Sequence, residues 1–213
     1  MNVINLYHGS FQKVTMPMYG VGKLTNDYGQ GFYCTEHIDL AKEWAVSENK
    51  DGYANHYQID LDKLKILNLN ELGTLEWLAI LVDNRIVRIN YPIMKKSMEW
   101  LKENYLPNIS EYDLLIGYRA DDSYFAFVRD FLSNTISLEQ LESAMRLGEL
   151  GEQYVLKSKK AFLEMRYIDA EVCNHDTYYA LKKDRDNAAK KRYQKILEES
   201  SLTGTYIFDL MKK

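Results

Sequence analysis

Tyr28-Gly29-Gln30-Gly31-Phe32-Tyr33-Cys34-Thr35, followed by the run Asp39 to Trp44, is the stretch around which the chain can be organised. The two glycines signal a turn, and Phe32 to Thr35 reads as a strand. Ile38, Ala41 and Ala45 then recur at helical spacing, so a short helix follows, with Thr35 or Asp39 as its cap. That helix carries a second large aromatic, Trp44, eleven residues beyond Tyr33. A flat ligand held between two aromatic faces needs this layout, at roughly 1–3 kcal/mol per stacked face. The same two rings equally suit the core of a strand–helix unit.

Upstream, Val3 to His8 alternates in character and reads as a strand ending at Gly9-Ser10, and Phe11 to Thr25 lacks a period and reads as a loop. Downstream, Tyr53 to Leu61 alternates as a strand after the Asp51-Gly52 turn, and Lys65 to Leu69 resembles a shorter one. Leu75, Leu78, Ala79, Val82 and Ile86 predict a helix over Leu72 to Ile89, and Met94 to Tyr105 predicts another. Tyr112 to Gly117 reads as a buried strand, followed by a helix from Ser123 to Leu132. Ser137 with Gln140 three residues on is a capping box for the next helix. Gln153 to Ser158 reads as a strand, with Phe162 to Ile168 expected to pair beside it. The tail, Tyr178 to Leu197, is a charge-rich helix, joined through Glu198 to Gly204 to a last short helix over Tyr206 to Met211. Short strands scattered among helices, without regular βαβ alternation, predict an α+β fold with mixed or antiparallel sheets.

The 213 residues fit one domain with a helical appendage, divided here as 1–170 and 171–213. An apolar share of 46% and a charged share of 27% are those of an ordinary globular chain. The net charge of −4 argues against general binding to nucleic acids or anionic membranes, though a local patch could still meet a nucleic-acid substrate. Cys34 and Cys173 form no metal-ligand or CxxC spacing, which favours a reducing cytoplasm. The first ten residues lack the basic and apolar regions of a signal peptide, and no apolar run approaches the length of a membrane span.

Four groups of residues could carry chemistry. Tyr7-His8-Gly9-Ser10 places a histidine at a strand end, where it could donate to a ribose hydroxyl or simply be a bonded turn histidine. Tyr33 and Trp44 form the aromatic slot described above. Asp121 and Asp122, directly after a buried strand, could perform acid–base work or cap the helix that follows. Glu152-Gln153 leads into a strand, a weak signal alone.

Their order along the chain resembles the ADP-ribosyltransferase fold, in its His-Tyr-Glu branch. The segments LYHGS (6–10), DYGQGFYCT (27–35), AKEWA (41–45), GYRADDSYF (117–125) and QYVLKS (153–158) look like the DUF3990 family of bacterial ADP-ribosyltransferase-like proteins. The resemblance covers about residues 4 to 168 and implies a split β-sheet core with inserted helices and a helical C-terminal tail. It further implies NAD as substrate. His8 would bind the nicotinamide ribose, with Gly9 and Ser10 on the carboxamide. Tyr33 would stack on the nicotinamide with Trp44 closing the other face, and Tyr28 and Gly31 would complete the binding stretch. No metal is implied.

The position of the branch's catalytic glutamate is Gln153 here, with Glu152 one place earlier. Side chains alternate across a strand, so Glu152 points away unless a bulge turns it inward. Glutamine can hydrogen-bond a ribose hydroxyl but carries no charge. Three options follow: Gln153 suffices for a mono-ADP-ribosyl transfer in which the acceptor supplies a carboxylate, Asp121 or Asp122 supplies the charge, or the protein binds NAD, or nothing, without turnover. The resemblance thus implies a mono-ADP-ribosyltransferase of toxin or effector character, acting on a protein or nucleic acid and paired with a small antitoxin protein. The alternatives are an inactive interaction module and an NAD glycohydrolase. Lys182-Lys183-Asp184-Arg185-Asp186 in the tail fits a partner contact or, more simply, a solvated face.

Overall fold

Two small sheets meet edge to edge in the computed structural model, which describes residues 2–120, 124–145, 151–198 and 204–212. The first sheet has the order β1-β3-β7, with β1 (Val3–Ser10), β3 (Gly52–Asp60) and β7 (Met165–Cys173) all antiparallel. The second has the order β2-β6-β5-β4, from β2 (Phe32–Cys34), β6 (Glu152–Leu156), β5 (Leu114–Tyr118) and β4 (Ile66–Asn68). Only its β4–β5 pair is parallel. One antiparallel bridge, between Tyr7 and Thr35, joins the sheets through backbone hydrogen bonds of 2.7 and 2.9 Å. Leu6, Cys34, Ile59, Leu114, Tyr154 and Leu156 fill the space between them.

Eight α-helices lie among the described residues. Helix α1 (Ile38–Ala45) packs on the first sheet through Ala41 and Ala45 against Ala54 and Cys173. Its approach to β1 is close because residue 9 is glycine: a Cβ there would stand 2.1 Å from the Ala41 carbonyl oxygen and 2.9 Å from the Trp44 Cβ. Helix α2 (Thr74–Asn84) buries Leu75 and every residue from Trp77 to Val82, as a helix apolar all round must. It anchors the larger core with α3 (Pro92–Tyr105), α4 (Tyr124–Leu132) and α5 (Leu138–Met145), through Met94, Leu101, Phe127, Phe131 and Leu141. The capping box of α5 forms as expected, with Ser137 N–H donating to Gln140 Oε1 and Gln140 N–H to Ser137 Oγ. Both cysteines are buried and unpaired.

Several boundaries differ from expectation. Helix α2 stops at Asn84 because Arg85 turns into extended backbone, and Ile86, counted as core from its spacing, is 83% exposed. Pro92 begins α3 two residues early, at the position where its missing N–H is harmless. The stretch expected as a strand beside Gln153–Ser158 instead starts with helix α6 (Lys159–Leu163), because the Ser158 hydroxyl caps it by accepting from the Ala161 N–H. The strand that follows, β7, joins β3 in the other sheet and runs through residue 170 to Cys173. The cap of α1 is His37 rather than Thr35 or Asp39, although Thr35 Oγ1 accepts from the His37 N–H.

The charged tail forms α7 (His175–Glu198) and α8 (Ile207–Leu210). Ala189 and Tyr193 bury one side of α7, while Lys183, Lys190 and Lys191 face solvent. Residues 199–203, within the expected joint, lie outside the described residues. Arg185 grips the buried Glu43 carboxylate of α1 with two bonds, at 3.1 and 2.8 Å, one residue from Trp44. Among the described residues no helix is long and apolar enough to cross a membrane.

Because Glu43 is 3% exposed, Arg185→Met should strand its charge and cost about 3 kcal/mol. A urea unfolding curve reads the loss, and adding Glu43→Gln should recover much of it.

Candidate functional site

A cavity of about 580 Å³ lies beside the joint between the sheets, within the roughly 300–1,000 Å³ typical of small-molecule sites. Its walls come from distant parts of the chain. They include His8 on β1, Phe32 and Tyr33 on β2, Trp44 on α1, Gln153 on β6, and Asp27 and Gly31 beside β2. The loop between β1 and β2 covers it with Val14, Met16, Pro17, Met18 and Val21. That loop is pinned at both ends. Asn55 accepts from the Val14 N–H at 2.8 Å and Tyr57 donates to the Val14 carbonyl, while Gln30 donates to the carbonyls of Gly20 and Gly22.

His8 sits with its ring 4.2 Å from that of Phe32, and its Nδ1 lies 2.7 Å from the Tyr33 carbonyl oxygen. A carbonyl only accepts, so Nδ1 carries the proton and Nε2 is left as an acceptor. Burial lowers the His8 pKa and so favours the neutral ring, while this hydrogen bond partly opposes the shift. Of the two roles open to His8 from the sequence, a donor to a ribose hydroxyl or a bonded turn histidine, the Nδ1 contact shows the bonded ring. In this tautomer Nε2 is an acceptor.

Tyr33 is held by its hydroxyl, which donates to the Gly29 carbonyl at 2.6 Å and accepts from the Tyr28 N–H at 3.0 Å. With the hydroxyl so engaged, the part of Tyr33 that remains to meet a ligand is its ring. Gly29 takes φ +72°, a region costly for other residues, to make this turn. Lys157 completes it by donating to the carbonyls of Tyr28 and Gln30 at 2.6 and 2.7 Å. Across the cavity, the Arg119 guanidinium lies 4.1 Å over the Trp44 ring, a cation–π contact.

A buried polar cluster closes the floor. The Asp27 carboxylate accepts from Gln153 Nε2 at 2.9 Å, from the Ala120 N–H at 3.0 Å and from Arg85 at 3.3 Å. Gln153 also donates to the Tyr118 carbonyl at 3.2 Å, so two acceptors fix which end of its amide is nitrogen. Burial raises the Asp27 pKa, against the lowering effect of Gln153, Ala120, Arg85 and Arg119.

Of the residues anticipated from sequence, His8, Gly31, Tyr33, Trp44 and Gln153 line the one cavity. Gly9, Ser10, Tyr28 and Glu152 are not among its described lining. Gly9 is the contact point for α1, and the Ser10 hydroxyl bonds the Gln12 backbone in a turn. Tyr28 is fully buried, its hydroxyl donating to the Tyr118 carbonyl and accepting from Trp77 Nε1 at 2.9 Å. Glu152 is on the opposite face of β6, bonded by Asn70, because the β5–β6 register runs without a bulge. Asp121 and Asp122 lie outside the described residues. Asp27, Arg85 and Arg119 were missed. Asp27 and Arg119 stand inside stretches already singled out, but neither carries a local pattern that distinguishes a cavity wall from a surface charge. Among the described residues no cluster of His, Cys, Asp or Glu could hold a metal ion.

The lowered His8 pKa makes a stability prediction. The unfolded chain protonates near pH 6.5 and the folded His8 only below that, so stability falls as pH drops through 6.5 toward the lowered value. Urea unfolding of wild type and His8→Gln between pH 8 and pH 5 should show the wild type losing more stability than the variant.

Neither a curated protein nor a solved structure matches the chain. One protein family does, described as "Protein of unknown function (DUF3990)", over residues 4–167. That span holds both sheets up to the first part of β7 and every cavity residue named above, and the chain belongs to this family.

Proposed function

We propose that the protein is an NAD-dependent mono-ADP-ribosyltransferase with an ADP-ribosyltransferase-like split sheet. The observation that carries this reading is the convergence of His8, Tyr33 and Gln153, from three separate strands, on one cavity at the joint of two small sheets. The cavity also suits the ligand's chemistry. A ring fixed by its hydroxyl offers a face for the nicotinamide, a neutral imidazole nitrogen accepts from a ribose hydroxyl, and Arg85 and Arg119 bring positive charge toward phosphates.

In the reaction, the bond between ribose C1′ and the nicotinamide nitrogen breaks. Its electron pair goes to the nicotinamide, which leaves neutral, and the positive charge develops on the ribose. The acceptor's lone pair forms the new bond at C1′ and its proton passes to solvent. His8 Nε2 orients the ribose by accepting a hydroxyl, and its Nδ1 tie to the Tyr33 carbonyl keeps histidine and tyrosine in register. Tyr33 and Trp44 form the walls of the nicotinamide slot, with Arg119 lifted from Trp44 when the ring enters. Val14 and Pro17 of the loop between β1 and β2 line the same cavity, beside the more exposed Met16 and Met18. The acceptor is a protein or nucleic acid. The role proposed for this activity is that of a toxin or effector, with a small antitoxin protein as partner.

Incubation with labelled NAD and a bacterial lysate tests the reading. Wild type should transfer label to a macromolecule, and His8→Ala and Tyr33→Ala should reduce transfer by about 100-fold or more. No transfer by wild type, or transfer unchanged in both variants, contradicts it. Free ADP-ribose without labelled macromolecule would instead identify a glycohydrolase.

A further inference from the structure

We propose that Asp27 is the working carboxylate of this site, supplying from the turn before β2 the negative charge that Gln153 cannot carry. The inference rests on the NAD reading and concerns how this chain performs the reaction without a glutamate on β6. Three observations point to it.

The first is elimination by geometry on β6. The β5–β6 register pairs Gly117 with Gln153 and Tyr118 with Glu152 without interruption. Gln153 therefore faces the cavity and Glu152 faces Asn70 on the other side. The carboxylate adjacent in sequence is not adjacent in space.

The second is the placement of Asp27. It is 5% exposed, lines the cavity, and touches Gln153 directly, its Oδ2 lying 2.9 Å from the Gln153 amide nitrogen. The cavity thus contains a carboxylate one hydrogen bond from Gln153, the position where the family resemblance implies one. The Ala120 N–H at 3.0 Å and Arg85 at 3.3 Å fix its orientation.

The third is electrostatic. Burial penalises the charged form of Asp27, and its hydrogen bonds and the guanidinium groups of Arg85 and Arg119 offset part of that penalty. A positive charge developing on a ribose in the cavity would be attracted to this carboxylate, which is itself withdrawn from water. Gln153 then acts as a positioning residue, its amide holding the carboxylate toward the cavity floor.

A plainer role for Asp27 is to pin the turn to Ala120 and Arg85 with no part in the reaction. Exchanging the two side chains separates the roles. Asp27→Asn keeps size and shape but removes the charge, and Asp27→Asn with Gln153→Glu returns one carboxylate to the same contact. For each full-length protein, calorimetry gives NAD affinity, a melting curve gives stability without ligand, and chromatography gives nicotinamide release from NAD with lysate present. Asp27→Asn should keep NAD affinity within about threefold while slowing nicotinamide release about 100-fold or more, and the exchange variant should regain at least about tenfold. Release by Asp27→Asn at the wild-type rate overturns the assignment and leaves the NAD reading standing. Slow release in both variants, or loss of NAD affinity in both, marks Asp27 as a structural pin and overturns it too. A wild type that binds no NAD overturns both readings together.

Discussion

The two backbone hydrogen bonds between Tyr7 and Thr35 are the only ladder between the sheets among the described residues, and the site depends on them. A longer ladder would merge β1 and β2 into one continuous sheet. A single bridge lets the strands separate on either side, and the cavity lies beside that separation. His8 follows Tyr7 immediately and reaches across to the Tyr33 carbonyl at 2.7 Å, so one joint sets both the histidine and the aromatic ring. Gly9 comes next and allows α1, with Trp44, to settle against the same strand. Three consecutive residues, Tyr7, His8 and Gly9, thus couple sheet joining, hydrogen-bond chemistry and the placement of the second aromatic wall.

The turn before β2 is the other half of this arrangement. Its carbonyls are held by Lys157 from β6's end and by the Tyr33 hydroxyl, and its acidic residue is held by Gln153, Ala120 and Arg85. Burial lowers the Lys157 pKa, and among the described residues its ammonium donates to the carbonyls of Tyr28 and Gln30. Such a network is rigid when every member is satisfied. It holds Tyr33 and Asp27 as a unit, the preorganisation that the proposed reaction would need. The C-terminal helix reaches this region indirectly, through the Arg185 grip on Glu43 beside Trp44.

Much of this was legible in the chain because local signals and tertiary structure agree there. The strand at Val3, the helix carrying Trp44 and the capping box at Ser137 follow from alternation, apolar spacing and a paired Ser and Gln. The end of α2 was not legible, because Arg85 leaves the helix to reach Asp27 and lies over the Phe125 ring, contacts that periodicity does not encode. The partner of β7 was hidden for the same reason: a nearby strand in sequence, β6, lost to a distant one, β3, once Ser158 had started a helix. In the site, aromatic and glycine spacing marked Tyr33 and Trp44, whereas Asp27 became visible only when β6 and the turn were folded together. Ser10 and Tyr28 look equivalent to their neighbours in sequence but point into a turn and into the core.

The central claim is that this cavity holds the nicotinamide end of NAD between β1 and β2. A crystal structure with a non-reactive NAD analogue tests it most directly. The account predicts the nicotinamide ring against Tyr33, a ribose hydroxyl donating to His8 Nε2, and the Asp27–Gln153 pair facing the ribose. An analogue bound elsewhere, or seated in the cavity with its adenine end at Tyr33 and His8, would contradict the account.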